Sequence, residues 1–130
     1  MSRPILLVDD NEMNLKLAQT ILVKAGYQVT TAASGEAALD LARRHVPALV
    51  LLDIRLPGID GLEVLRRLRE FPEMRGVPIV AMTAQALPDE VERFVAAGCD
   101  GYIQKPISIE SFRAEVRRHL KLTSGEEQRR

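Results

Sequence analysis

The sequence predicts an α/β protein with a doubly wound, five-stranded parallel sheet and five helices. Short apolar runs recur along the chain without alternating with polar residues, which is typical of strands buried on both faces. Segments with apolar residues at helical spacing separate these runs. Small and polar residues suited to helix ends lie at the boundaries between them. A repeating βα pattern of this kind indicates a sheet covered by helices on both sides.

The predicted strands are the five apolar runs at residues 5–8, 29–32, 48–52, 79–82 and 102–103. Between and after these runs, apolar residues keep the spacing of one helix face. The five helical sets are Leu17, Ala18, Ile21, Leu22 and Ala25; Ala37, Ala38, Leu41 and Ala42; Leu62, Leu65 and Leu68; Val91, Phe94 and Val95; and Phe112, Val116 and Leu120.

Residues that start or stop helices support these boundaries. They are Gly26 after the first helix, Ser34 and Asp60 as caps of the second and third, Pro88 in the first turn of the fourth, Gly98 at its end, and Ser108 as cap of the fifth.

Length and composition favour one domain, which we place at residues 3–122. The chain has 130 residues, 46% hydrophobic, with 18 basic and 18 acidic side chains. This balance gives no sign of nucleic-acid binding, and no apolar stretch is long enough to span a membrane. A single cysteine, Cys99, excludes an internal disulfide and suggests a reducing compartment. We therefore expect a cytoplasmic protein with a flexible, charged C-terminal tail at residues 123–130.

Polar residues follow the predicted strands at the edge where an open α/β sheet binds its ligands. They are Asp9 and Asp10 after strand one, Asp53 after strand three, Thr83 after strand four, and Lys105 and Pro106 after strand five. We expect these side chains to converge.

Three carboxylates at one edge repel one another unless a cation, a proton or a lysine compensates their charge. A few hard oxygen ligands open to water suit Mg²⁺, and no oxygen-rich loop of the EF-hand type favours Ca²⁺. A single aspartate at a strand end could instead cap the following helix. Together with Thr83 and Lys105, the three aspartates favour a magnesium site.

The same residues form a recognisable set of motifs. They are Val8-Asp9-Asp10-Asn11, Leu51-Leu52-Asp53-Ile54 with Leu56-Pro57-Gly58, Met82-Thr83-Ala84, and Tyr102-Ile103-Gln104-Lys105-Pro106-Ile107. Over residues 3–122 the chain resembles the receiver domain of two-component response regulators, and looks most similar to DivK-like single-domain regulators or hybrid-kinase receivers. The resemblance implies a flavodoxin-like fold with strand order 2-1-3-4-5.

The resemblance also implies site roles. Asp53 would be the phosphoacceptor, acting as a nucleophile toward phosphorus. Asp10 and Asp53 would bind Mg²⁺ directly, the backbone carbonyl of Arg55 would complete the protein ligands, and Asp9 would act through water. No general base is needed, because an ionised carboxylate is already the attacking group.

The remaining roles implied by the resemblance concern charge and switching. Lys105 would neutralise the phosphoryl oxygens and Thr83 would donate a hydroxyl hydrogen bond to one of them. Thr83 and Tyr102 would form the switch, in which Thr83 moves inward and Tyr102 rotates into the vacated space. A cis peptide at Pro106 would aim Lys105 inward.

The implied function is signalling by protein binding. A sensor histidine kinase or a histidine phosphotransfer protein would donate the phosphoryl group, and the surface of helix four, strand five and helix five would bind a downstream protein. The protein would catalyse its own phosphotransfer and autodephosphorylation and would not otherwise be an enzyme. No nucleic-acid or membrane partner is expected, and the expected state is a monomer or weak dimer.

Three other functions fit parts of the pattern. A phosphohydrolase of the haloacid-dehalogenase type would need an aspartate at position 55, where this chain has Arg55. A flavin-binding protein of the same fold would carry a hydroxyl-rich phosphate loop in place of Asp9 and Asp10. A degenerate receiver acting only as a scaffold would not retain the complete set of site residues.

Arg55 and Gln85 each lie two residues beyond a site residue, and we hypothesise that they set the rate at which water hydrolyses the phosphoryl group. The alternative is that Arg55 is exposed and inert. Other residues are expected to be structural. Cys99 should be a small packing residue, and His45 and His119 should be surface residues. Two groups of arginines are expected to be solvated, although the second could contribute to a partner surface. They are Arg66, Arg67 and Arg69, and Arg113, Arg117 and Arg118.

Overall fold

The computed structural model describes residues 3–56, 58–84, 87–105 and 108–123, with residues 121–123 described for the backbone alone. Strands and helices alternate along the chain. The strands are β1 (Ile5–Val8), β2 (Val29–Ala32), β3 (Leu49–Asp53), β4 (Ile79–Thr83) and β5 (Gly101–Gln104). The helices are α1 (Glu12–Lys24), α2 (Gly35–Arg44), α3 (Gly61–Glu70), α4 (Pro88–Ala96) and α5 (Ile109–Thr123). A short 3₁₀ helix, Pro72–Met74, precedes β4.

The strands form one parallel sheet in the order β2-β1-β3-β4-β5, which confirms the predicted fold. The register aligns the ends of the strands. Val8 lies beside Leu52, and Thr83 lies beside Gln104. The strand ends therefore share one edge of the sheet, where the predicted site residues lie.

The three inner strands are buried along their whole length, as their apolar runs predict. The prediction that every strand is buried on both faces was wrong for the two outer strands, β2 and β5. β2 exposes its threonines, and β5 exposes Tyr102 and Gln104. An outer strand has a neighbour on one side only, so fewer side chains cover it.

Helix ends largely follow the predicted capping residues. Ser34 and Asp60 accept N-cap hydrogen bonds from Ala37 and Glu63, and Ser108 accepts one from the amide of Ser111 at 3.2 Å. The Gly98 turn after α4 has a φ of 107°, which favours glycine.

Two apolar clusters cover the faces of the sheet. One packs α2 and α3, with Phe94 of α4, against the sheet. The other packs α1 and α5 against the opposite face around Leu22 and Phe112. No helix of the described ranges is both long and apolar enough to cross a bilayer. The predicted tail lies outside the described residues except for Thr123, the last residue of α5.

The surface prediction was wrong for His119 and right for His45. His119 is 3% exposed, whereas His45 is exposed at the end of α2. His119 can be buried because Gly101, on β5, has no side chain. A Cβ at Gly101 would come within 2.9 Å of the His119 Nε2. The missing side chain at Gly101 leaves the space that the imidazole occupies, and burial lowers the pKa of His119.

The prediction that Arg69 is solvated was also wrong, because only 20% of its side chain is exposed. Its guanidinium donates to the carbonyls of Met74 and Val77 at 2.8 Å, to that of Gly98 at 2.8 Å, and to the Asp100 carboxylate at 2.7 Å. These carbonyls come from two turns, Met74–Val77 before β4 and the Gly98 turn after α4, and the Met74 carbonyl also accepts from the Val77 amide at 3.1 Å. The guanidinium therefore joins two turns that are distant in sequence.

Cys99 packs against the cluster of α2 and α3, as predicted. Burial raises the pKa of its thiol, which favours the neutral form.

Candidate functional site

The predicted site residues meet at the carboxyl edge of the sheet. Asp9 follows β1, Asp53 and Thr83 are the last residues of β3 and β4, and Lys105 follows β5. Asp9, Asp53 and Thr83 are 2%, 6% and 3% exposed. Buried polar groups at strand ends need partners, and for Asp9 and Asp53 these partners lie within the site.

Lys105 is the cation that compensates the buried carboxylates. Its Nζ lies 3.0 Å from Oδ2 of Asp9 and 3.4 Å from Oδ2 of Asp53. Only 18% of the Lys105 side chain is exposed. One ammonium group therefore spans two carboxylates and leaves part of their negative charge for another cation.

Backbone amides hold the other oxygen of each buried carboxylate. The amide of Asn11 donates to Oδ1 of Asp9 at 2.9 Å, and the amide of Arg55 donates to Oδ1 of Asp53 at 3.1 Å. Both bonds span two residues and fix the loop after each strand. Asn11, rather than either aspartate, caps α1 through a bond from Asn14, so Asp9 and Asp10 are not used as helix caps.

Asp9, Asp10 and Asp53 can each offer one carboxylate oxygen within 4.8 Å of the others. Asp9 and Asp53 are buried, and Asp10 is exposed. Three oxygen donors with one side open to solvent fit a hard divalent cation that keeps part of its water shell, as Mg²⁺ does. The residues present therefore fit the predicted metal.

The pKa of Asp53 is raised. Its main cause is burial, with a contribution from the nearby Asp9, while the Arg55 amide and the Lys105 ammonium act in the opposite direction. Burial penalises the charged carboxylate more than Lys105 alone relieves it. A further cation at the three aspartates would favour the ionised Asp53 that nucleophilic attack requires.

Thr83 borders a narrow cleft of about 20 Å³ between the sheet and α4. The lining residues are Ile54, Ala81, Thr83, Glu90, Val91, Phe94 and Tyr102. Tyr102 is 44% exposed, so it borders the cleft while much of its side chain faces solvent. A volume of this size holds about one water, and therefore an inward aromatic ring would require α4 or the adjoining loop to move.

Glu90 is a neighbour of the site that the sequence did not indicate. Arg55 Nη2 lies 3.3 Å from both carboxylate oxygens of Glu90, in the first turn of α4. The Arg55 side chain is 55% exposed and pairs with Glu90; its influence on the rate of hydrolysis stays a prediction. Two further expectations, the cis peptide at Pro106 and the role of Gln85, lie outside the described residues.

The sequence and the fold match those of known proteins. The response regulator receiver domain family matches residues 5–117. The polar-differentiation response regulator DivK of Brucella ovis is 42% identical over 120 residues, which cover 92% of this chain and 98% of that protein.

Two solved structures are also similar. A CheY-like response regulator receiver domain protein from Methanospirillum hungatei has a TM-score of 0.90 and 28% identity, covering 97% of this chain and 99% of its own. The receiver domain of a Pseudomonas aeruginosa sensor histidine kinase, with a magnesium ion coordinated in its active site cleft, has a TM-score of 0.85 and 35% identity, covering 93% and 99%.

Proposed function

Because this chain belongs to the response regulator receiver family of two-component systems, we propose that it accepts a phosphoryl group on Asp53 with Mg²⁺. The observation that carries this proposal is the placement of Lys105 between two buried carboxylates, at 3.0 Å from Asp9 and 3.4 Å from Asp53. A buried carboxylate fixed by an amide and faced by an ammonium group is positioned for attack on an electrophile whose charge must be neutralised.

The donor is a phosphohistidine on a histidine kinase or a phosphotransfer protein. A carboxylate oxygen of Asp53 attacks phosphorus and forms an acyl phosphate, while the phosphorus–nitrogen bond breaks and its electron pair stays on the imidazole. The loop bond from the Arg55 amide to Oδ1 leaves Oδ2, on the Lys105 side, as the nucleophilic oxygen. Lys105 then faces the phosphoryl oxygens and neutralises part of their charge.

The carboxylates of Asp10 and Asp53 and the backbone carbonyl of Arg55 would hold Mg²⁺, with Asp9 acting through water. The ion would supply positive charge to the phosphoryl oxygens during transfer. The spacing of the carboxylates supports this ligand set, and so does the magnesium ion in the Pseudomonas aeruginosa receiver domain.

The signal reaches the surface through Thr83. Its position at the end of β4, beside the cleft that Tyr102 borders, supports a switch in which the hydroxyl donates to the phosphoryl group and Tyr102 turns inward. The surface of α4, β5 and α5 then changes its affinity for a downstream protein. Coupling of this kind is typically about 1–3 kcal/mol.

We do not propose turnover of small phosphate esters. Position 55, which would bear an acid or base in a phosphohydrolase, carries a guanidinium bound to Glu90. Absence of phosphate release from simple phosphate esters would support this assignment, and steady turnover abolished by Asp53→Asn would contradict it.

The experiment that tests the function is intact-protein mass spectrometry after incubation with acetyl phosphate and Mg²⁺. Asp53→Asn and a metal-free sample are the controls. We expect one phosphoryl adduct that both controls lose. If a folded protein gains no adduct from acetyl phosphate and none from a phosphorylated kinase, the proposal is wrong and the site acts as a scaffold.

A further inference from the structure

Arg55 connects the phosphoacceptor loop to α4. Its backbone amide donates to Asp53 Oδ1 at 3.1 Å, and its side chain reaches Glu90, 35 residues along the chain. Glu90 also borders the cleft shared by Thr83 and Tyr102. One residue thus contacts both the acceptor carboxylate and the helix beside the predicted switch.

The two ends of α4 are held differently. At the C-terminal end, the Gly98 carbonyl accepts from both Nε and Nη2 of Arg69, at 3.1 and 2.8 Å. At the N-terminal end, Leu87 provides no side-chain cap, and Glu90 pairs with Arg55. Among the nine residues of α4, all of them described, Phe94 alone is buried. Helix α4 therefore has one anchored end and one lightly held end.

The contact between Arg55 and Glu90 is easily displaced. A single nitrogen, Nη2, faces both carboxylate oxygens at 3.3 Å, without the parallel pair of bonds that strengthens arginine–carboxylate contacts. The Arg55 side chain is half exposed, so solvent screens the pair. A phosphoryl group on Asp53 would bring about −1.5 to −2 charges and three strong acceptors close to the same guanidinium.

We propose that Glu90 and the phosphoryl group compete for Arg55. In the unphosphorylated protein, Arg55 holds the first turn of α4 through Glu90. Phosphorylation draws the guanidinium to the phosphoryl oxygens and releases the N-terminal end of α4, while Arg69 keeps the C-terminal end in place. This inference rests on the proposed phosphorylation of Asp53 and assigns Glu90 as the residue that positions Arg55.

The first test needs no phosphorylation. Hydrogen exchange of peptides from α4 is compared in the full chain and in Glu90→Gln and Arg55→Met. Both changes remove the pair, so exchange near residues 88–92 should be about two- to fivefold faster, with no change near residues 94–98. Glu92→Gln, an equal charge change at an exposed position of α4, is the control and should match the parent.

The second test measures the affinity for beryllofluoride, a phosphoryl mimic, in the presence of Mg²⁺ by titration calorimetry. Glu90→Gln frees Arg55 and should tighten binding about fivefold, whereas Glu92→Gln should not. In an Arg55→Met background, Glu90→Gln should have no effect, because no guanidinium remains to be redirected.

The possible outcomes distinguish a failure of the competition for Arg55 from a failure of the proposed phosphorylation of Asp53. Unchanged exchange in both Glu90→Gln and Arg55→Met would overturn the contact to α4. Equal tightening by Glu90→Gln with and without Arg55 would show simple removal of negative charge and would overturn the competition. Failure of the parent to bind beryllofluoride would remove the proposed function and the competition with it, while the exchange result would still decide whether Arg55 holds α4.

Discussion

Replacement of Arg69 by methionine should destabilise the fold strongly, although Arg69 lies on a helix rich in solvated arginines. The guanidinium contacts the carbonyls of Met74, Val77 and Gly98 and the carboxylate of Asp100. Methionine keeps the aliphatic stem but removes every donor. Three carbonyls and one carboxylate would then lose their shared cation.

Hydrogen bonds that involve a charged partner contribute about 1.5–3 kcal/mol each. Simple addition would overstate the loss, because the side chain is 20% exposed and water can reach part of the vacated space. The Asp100 carboxylate also keeps its bond from the Ile79 amide at 2.8 Å. We therefore expect a loss of about 3 kcal/mol in the free energy of unfolding, and a Tm lower by about 10 °C.

Equilibrium unfolding in urea measures this loss, and Arg66→Met on the same helix is the matched control. Arg66 has a 57% exposed side chain and an ion pair with Glu63 at 3.9 Å, so its replacement should cost at most about 0.5 kcal/mol. Losses of equal size in the two variants, or less than about 1 kcal/mol for Arg69→Met, would refute the assignment of Arg69 as a stabilising hub.

Two further predictions concern stability. Gly61→Ala should lower the free energy of unfolding in urea by about 2 kcal/mol, because the new Cβ would lie 2.5 Å from the Ile54 Cα. The control is Gly76→Ala, whose Cβ would have nothing within 4 Å, and it should be neutral or slightly stabilising. Equal losses of stability in the two variants would contradict the steric argument. Burial, and after it the charge of Arg118, lowers the pKa of His119 in the folded protein. As the pH falls, the unfolded state therefore takes up a proton before the folded state does. The free energy of unfolding should fall as the pH is lowered from about 7 to 5.5. His119→Gln should flatten that fall and exposed His45→Gln should not; parallel pH profiles for both variants would be the contrary result.

The sequence was sufficient for the sheet and for the convergence of the site. Strand periodicity is local, and the polar residues at the carboxyl ends of β1, β3, β4 and β5 needed only parallel topology to meet at one edge. The predicted third strand, residues 48–52, differs from Leu49–Asp53 by one residue. That difference places Asp53 on the strand itself, where the sheet hydrogen bonds help to fix it.

The sequence was insufficient where partners come from distant segments. Arg69 carries the same local signal as Arg66, and only the meeting of two turns distinguishes them. The pair of Arg55 and Glu90 joins residues 35 positions apart, and neither residue type indicates its partner. Glycine at the start of β5 was the one signal that could have indicated space for a ring at His119.

The fit between Gly101 and His119 restricts the order in which these two residues can be substituted. A methyl at position 101 would lie 2.9 Å from the imidazole Nε2, and a small residue at position 119 would leave a hole beneath α5. Each substitution alone is therefore costly, whereas a side chain at 101 together with a smaller residue at 119 restores the volume. The two positions should behave as an epistatic pair, so that in evolution or in engineered libraries a residue accepted at one depends on what occupies the other.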